Sequence, residues 1–472
     1  MYRIIRIFIY PLHPVSLLDK MPKIKSYFSC QSCGYQSTKW MGRCPECGEW
    51  NTFVEEREDA EDKTRWSGEK SGAVKPIPIS EIESCYEKKL ISGIAEFDRV
   101  LGGGIVPGSL ILIGGDPGIG KSTLVLQTLG NLAKLARKVL YVSGEESAAQ
   151  IKTRADRLDI NEKNLWIVTE NCLENLLEIL REQKPDLIVI DSIQTIYSNT
   201  LSSAPGTVSQ VRESAGQIIM QAKATGMACI LVGHVTKEGS LAGPKVLEHM
   251  VDCVLYFESD QGHAFRILRA VKNRYGATNE IGVFEMTGKG LKEIANPSSL
   301  FLSERGKPVS GAVVATCLEG TRSLFLELQA LVTQSGFANP RRTAIGIDGG
   351  RLALLVAVLE KIVGLTLHNQ DIFVNVAGGL RVTEPALDLG VSAAIFSSFR
   401  NLPIHPKTIL IGEVGLTGEI RPVSLIDVRL KEAAKLGFTD AYIPQGNFKK
   451  QTVGDLNLYP VQSLEEFLHK LF

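Results

Sequence analysis

The chain has 472 residues, and at about 150 residues per domain this length predicts two to four domains rather than one core. Hydrophobic residues make up 44% and charged residues 22%, which excludes whole-chain disorder, collagen-like repeats and a continuous coiled coil. Lys plus Arg and Asp plus Glu both number 52, so a histone-like basic protein is excluded, while local basic patches for nucleic acid are not.

In chain order, residues 1–20 form a leader in which Arg3 and Arg6 precede a short apolar stretch broken by Pro11. It has no small-residue cleavage site, so it reads as a loose leader or as sequence upstream of a start at Met21. No run approaches the roughly 18 apolar residues that span a bilayer. The expected product is cytoplasmic, with no membrane partner.

Residues 21–54 carry Cys30, Cys33, Cys44 and Cys47 in the spacing C-x2-C-x10-C-x2-C. Four thiolates close a tetrahedral Zn2+ shell, and Gly34 and Gly48 follow the pairs at turn positions. So short a segment builds little core, so metal ligation supplies most of its folding free energy. Two redox pairs are the alternative. The other five cysteines are scattered and read as small buried hydrophobes in a reducing compartment. Residues 55–79, beginning E-E-R-E-D-A-E-D, read as a solvated linker.

Residues 80–295 alternate short apolar runs with helical segments, the pattern of an α/β sheet. Strands are expected at 110–114, 139–143, 187–190, 228–233, 254–258 and 265–271, and helices at 121–136 and 173–183. Between the first strand and the first helix lies Gly115-Asp116-Pro117-Gly118-Ile119-Gly120-Lys121-Ser122, a match to G-x-x-x-x-G-K-[ST] followed by Thr123. Its glycines let backbone N–H groups curl around phosphate oxygens at a helix N-terminus. Lys121 is then expected to reach the outer phosphates of ATP, Ser122 to ligate Mg2+, and Thr123 to assist.

The run Leu187-Ile188-Val189-Ile190-Asp191 ends in a carboxylate suited to the Mg2+ shell. The strand at 139–143 leads into Glu145-Glu146, which places carboxylates at the sheet edge where ligands bind. Glu145 is the chosen catalytic base and Glu146 the alternative. Residues 261–279 contain Arg266, Arg269, Lys272 and Arg274 but no acid until Glu280. Lys272-Asn273-Arg274-Tyr275-Gly276 puts two cations on a tight turn that could reach a phosphate, including one held by a neighbouring subunit. Residues 296–472 form a further α+β block.

The zinc spacing, the phosphate loop and Lys272-Asn273-Arg274-Tyr275-Gly276 occur in an order that resembles the bacterial RadA (Sms) family of DNA-repair proteins, from about Met21 onward. Tyr275 stands where that family usually has Phe. The resemblance implies a RecA-like P-loop ATPase core with an N-terminal four-Cys zinc knuckle. It implies a homo-oligomer, a hexameric ring with ATP between subunits, acting as a motor on single-stranded and branched DNA with the RecA recombinase. Lys272 and Arg274 would then contact nucleotide across the subunit boundary, and the loops at 199–213 and 236–249, with Arg212, Lys237 and Lys245, would line the DNA channel.

The C-terminal block resembles the proteolytic domain of Lon, through Gly378-Gly379, Glu384-Pro385-Ala386, the run from Ile411 to Val423, and Ala441-Tyr442-Ile443-Pro444. Ala386 falls at the serine position and Asp427 at or near the lysine position, so no acyl-enzyme can form. Ser392 and Lys431 lie off the matched positions. The block reads as an inactive assembly platform, with Arg341-Arg342 and Lys449-Lys450 available to duplex DNA. A nucleotide-gated scaffold that recruits recombination proteins without moving DNA is the alternative function.

Overall fold

The computed structural model describes residues 25–30, 34–58, 78, 80, 89–233, 244–258, 265–298, 302, 308–336, 339–377, 381–449 and 453–472. Cys33, Thr236, Lys237, the side chain of Lys245, Gly378-Gly379, Lys450, the leader and most of the linker lie outside them.

Three larger sheets and a two-stranded ribbon, Glu413–Val414 with Ile420–Arg421, organise the described residues. A small antiparallel sheet sets Lys25–Cys30 between Gln36–Ser37 and Phe53–Glu58. Its buried apolar material is Cys30, Cys44 and Phe53, backed by Phe28 and Met41, which is little for an independent core.

The nine-stranded sheet of the α/β core is built around Leu110–Gly115. Going outward on one side lie Ala228–Val232, Leu187–Asp191, Val139–Ser143 and the edge strand Leu165–Val168, all parallel. On the other side Cys253–Glu258 is parallel, and Phe265–Asn273, Ile281–Thr287 and Gly290–Glu293 then run antiparallel. The six parallel strands are a mononucleotide-binding half-sheet, and the last three are an antiparallel extension.

Alternating side chains of the buried strands enter two different cores, as a two-residue period requires. Ile111, Ile113, Val139, Tyr141, Val189 and Ile230 meet Leu124, Val125 and Leu129 of the helix Lys121–Lys134. Leu110, Leu112, Leu140, Val142, Ile188 and Leu231 meet Leu173–Gln183 and Val208–Thr225 on the opposite face. Cover on both faces is why these strands read as unbroken apolar runs. Each fully buried Leu or Ile contributes about 1.5–3 kcal/mol on leaving water.

The C-terminal sheet has seven strands, in the order Arg342–Ile345, Gln370–Val376, Arg322–Gln334, Ala312–Glu319, Thr408–Leu410, Asp440–Pro444, Asn457–Val461. Gly349–Lys361 and Asp388–Arg400 contribute Leu352, Leu355, Leu389 and Ile395 to its main core. That core also takes in Ile281 and Val283, whereas Phe284 of the same strand belongs to the ATPase core. Strand Ile281–Thr287 therefore has one face in each unit. Arg322 pairs with Glu96 at 2.9 Å, Arg99 with Glu280 at 3.1 Å and Arg269 with Glu319 at 2.5 Å along the same seam. No helix among the described residues is long and apolar enough to cross a membrane.

Candidate nucleotide and metal sites

Leu110–Gly115, Val139–Ser143 and Leu187–Asp191 are parallel, so their C-terminal ends open onto one edge of the sheet. A cleft of about 410 Å3 lies there, lined by Gly118, Gly120, Lys121, Ser122, Thr123 and, from the other strands, Glu145 and Asp191. The phosphate loop turns through positive φ at Gly115 (+142°), Gly118 (+74°) and Gly120 (+119°). At Gly120 it is the φ that calls for glycine, since the atom a Cβ would crowd, Met286 Cε at 2.8 Å, is the movable end of a flexible side chain. The helix then begins at Lys121 with no acid in its first turn, leaving its positive end directed at the cleft.

Lys121 is buried, and its Nζ donates to Gly115 O (2.7 Å) and Asp116 O (2.9 Å) at the mouth of the loop. Burial lowers its pKa from the ordinary lysine value, and Asp191, Asp116 and Glu145 oppose that shift. An ammonium at the mouth of a glycine-rich loop and a helix N-terminus is a receptor for polyphosphate.

The carboxylates are held individually. Tyr141 OH donates to Asp191 Oδ2 at 2.6 Å, and burial with this neighbour drives the phenol pKa far upward, so it stays a donor. Ser192 Oγ donates to Glu145 Oε1 at 2.6 Å. Glu146 instead forms an ion pair with Arg154 of the helix Ala148–Arg157. Ser143 Oγ accepts from Glu146 N at 3.0 Å, and Gly144 N donates to Asp191 O at 3.2 Å. Gly144 allows this close passage: a Cβ there would overlap Thr195 Oγ1 at 1.8 Å.

The two candidate cations of the 272–274 turn are not in this cleft. Lys272 is level with Val254, and Val254 with Leu112, three residues back from Gly115. That is about 10 Å along the strand at roughly 3.3 Å per residue, and the turn beyond it leaves at the opposite edge of the sheet. Lys272 Nζ donates to Glu248 O (2.7 Å) and Val251 O (2.8 Å), closing the end of the helix Pro244–Met250. Arg274 lies 3.7 Å from Asp252, with its side chain 61% exposed. Arg269 of the same basic stretch is consumed by Glu258 and Glu319.

At the N-terminal sheet the sulfurs of Cys30, Cys44 and Cys47 all lie within 4.8 Å of one another. Cys30 and Cys47 are 3.7 Å apart, far beyond the S–S bond of about 2.05 Å. Gly34 (φ +76°) and Gly48 (φ +75°) donate N–H to Cys30 O and Cys44 O, forming two matching turns beneath the thiols. A convergent set of thiols on two such turns fits Zn2+, which Cys30, Cys44 and Cys47 would hold together with a fourth donor. Gly34 packs on the ATPase core, where a Cβ would meet Val208 Cγ1 at 3.2 Å and Arg212 Nη1 at 3.9 Å. Arg212 itself is on the helix Val208–Thr225, so the second half of the segment expected as a channel loop is helical.

Known proteins match along the chain in the same three parts. A family described as a rubredoxin metal-binding domain matches residues 28–55, an AAA domain 79–240, and subunit ChlI of Mg-chelatase 354–447. A DNA repair protein RadA of Halalkalibacterium halodurans is 54% identical over 435 residues, 92% of this chain and 95% of that protein. The chain belongs to the RadA family of DNA repair proteins. The RadA proteins of Bacillus subtilis (54% identity, 90% of this chain and 94% of that protein) and Pseudomonas aeruginosa (49%, 96% and 100%) agree over similar spans. The RadA core is thus an AAA ATPase domain, and the zinc ribbon and ChlI/Lon-like block flank it.

Sequence reading missed Tyr141, Gly144, Arg154 and Ser192. Tyr141 and Ser192 sit 50 and 47 residues from the carboxylates they hold, so only strand adjacency joins them. Arg154 had a local signal, a cation two turns after Glu146 on an amphipathic helix, and it reads as surface charge until the helix is placed.

Proposed function

We propose that this RadA-family chain is a DNA-dependent ATPase of recombinational repair. In this reading it is a hexameric ring-shaped motor on single-stranded and branched DNA that extends branches together with the RecA recombinase. The observation that carries the reading is the cleft in which Lys121, Ser122, Glu145 and Asp191 converge from three strand ends. Lys121 and the backbone N–H groups of the loop, all but Pro117 having one, would bind the triphosphate, and Ser122 and Asp191 would hold Mg2+, which would neutralise phosphate charge. Glu145, oriented by Ser192, takes the proton of the attacking water.

Arg274, exposed at the far edge of the sheet, suits a phosphate held by the next subunit in a ring. Lys272, tied to two carbonyls, supports that edge from within. The C-terminal block serves as an assembly platform without peptidase activity, because buried Ala386 offers no nucleophile. Its exposed Arg341, Arg342 and Lys449 are available to duplex DNA.

The test measures ATP hydrolysis with and without single-stranded DNA, branch extension with RecA, and particle size by light scattering. DNA-stimulated hydrolysis by a ring, lost in Lys121→Ala, is expected. Hydrolysis with recruitment of RecA but no branch extension would favour the nucleotide-gated scaffold. Absence of both DNA binding and DNA stimulation overturns the motor reading.

A further inference from the structure

Arg154 occupies the nucleotide cleft without any role assigned by the reaction outlined above. It comes from the helix Ala148–Arg157, whose start is fixed by a capping box between Ser147 and Gln150. That cap sets the helix axis, and Arg154 then points back over the turn N-terminal to it, toward the cleft. Its Nη2 is bound by Glu146, while its Nη1 is out of contact with solvent and donates to no acceptor among the described residues. The guanidinium is also close enough to Tyr141 for its charge to act on that phenol, which itself holds Asp191.

An arginine bound through one arm, with a dry and unsatisfied second arm, is an incomplete fork. Guanidinium groups pair best with carboxylate or phosphate oxygens through two parallel N–H bonds. Glu146 and Arg154 line the same cleft as Glu145, the group assigned above to the attacking water, so the terminal phosphate of ATP is the anion expected beside the fork; ADP ends one phosphate short.

We propose that Arg154 is a nucleotide contact whose guanidinium, turning into the cleft that it lines, brings its unsatisfied Nη1 to the terminal phosphate of ATP, and that Glu146 is the positioning residue that holds its other arm. This rests on the ATPase reading and deepens it. It makes the cleft discriminate ATP from ADP through a cation of the same subunit, and it separates the adjacent acids into a base (Glu145) and a holder (Glu146).

The experiment measures the affinities of the full-length protein for Mg2+ with ADP and for Mg2+ with a non-hydrolysable ATP analogue, by competition against a fluorescent nucleotide. Arg154→Ala should lose about 10- to 100-fold for the ATP analogue, the range for a hydrogen bond to a charged group, and several-fold less for ADP. Arg154→Gln, which keeps most of the stem packing, should shift the ATP/ADP ratio in the same direction if the alanine variant folds poorly. Glu146→Gln should shift that ratio less, because the arm is loosened rather than removed. Arg137→Ala, at the opposite edge of the sheet and paired with Asp186, should leave the ratio at the wild-type value.

An unchanged ATP/ADP ratio in Arg154→Gln, alongside wild-type protein that binds both nucleotides, overturns the assignment of Arg154 alone. Wild-type protein that binds neither nucleotide overturns the ATPase reading itself.

Discussion

The nucleotide cleft and the region around Ala386 each place an acid–arginine pair beside a helix start, and they treat it in opposite ways. In the cleft the Arg154–Glu146 pair is part-exposed, one guanidinium nitrogen has no acceptor among the described residues, and both side chains line the open cleft. Around Ala386, Arg429 is completely buried, and all three of its nitrogens are used: Nη2 by Glu384, Nη1 by Thr316 O (3.0 Å) and Nε by Ser424 O (3.1 Å). Glu384 is also satisfied on both oxygens, since its Oε2 accepts from Leu318 N at 2.6 Å. Ala386 O is likewise occupied, accepting from Gly412 N. Asp427, which the resemblance to Lon puts at or near the lysine position, pairs with Lys449 at 3.1 Å. A set of charges left partly unpaired beside a cavity can exchange partners with a ligand; a set closed on itself holds the fold.

That contrast can be broken by substitution, and the largest effect is expected in the cleft. Glu145→Gln should lower kcat by about 10²–10⁴-fold, the range for loss of a general base, with little change in thermal stability. A steady-state ATPase assay beside a melting curve checks both halves. Arg429→Ala should do the reverse, destabilising the chain by about 3–5 kcal/mol by stranding Glu384, while the catalytic groups stay in place. Denaturant unfolding followed by ATPase activity of the folded fraction measures this, and a large loss of kcat with unchanged stability would erase the distinction.

Gly144→Ala is expected to cost about 1–3 kcal/mol through overpacking against Thr195. Because Thr195 Oγ1 donates to Ser192 O, the displacement should pass to Ser192 and loosen Glu145. The ATPase rate should therefore fall more than the melting temperature suggests. The smallest effect is predicted for Ala386→Ser, which restores a hydroxyl without a lysine to activate it. Peptide hydrolysis should remain at background in a fluorogenic assay. Measurable cleavage would mean that the closed region had kept a working base.

The motifs that were legible in the sequence are those whose chemistry is local. The phosphate loop and the two C-x-x-C turns each work through a few consecutive backbone groups, so spacing alone marks them. The strands at 139–143 and 187–191 were likewise readable, because burial on both faces forces continuous apolar runs. The antiparallel strands Ile281–Thr287 and Gly290–Glu293 were not, since one face of the first meets a second domain and its pattern is neither alternating nor continuous. The seam they form makes the C-terminal block share a core with the ATPase sheet.

By itself the sequence determined the phosphate-loop motif, the spacing of the four cysteines, the apolar run that ends in Asp191, and the alanine at 386. Only the tertiary structure decided which charges act together. Parallel strands bring Gly115, Ser143 and Asp191 to one edge, where Lys121, Glu145 and Arg154 converge. The antiparallel strand Phe265–Asn273 runs the other way, and so delivers Lys272 and Arg274 to the opposite edge. Strand direction is a property of the hydrogen-bonded sheet as a whole, and no local stretch of sequence encodes it.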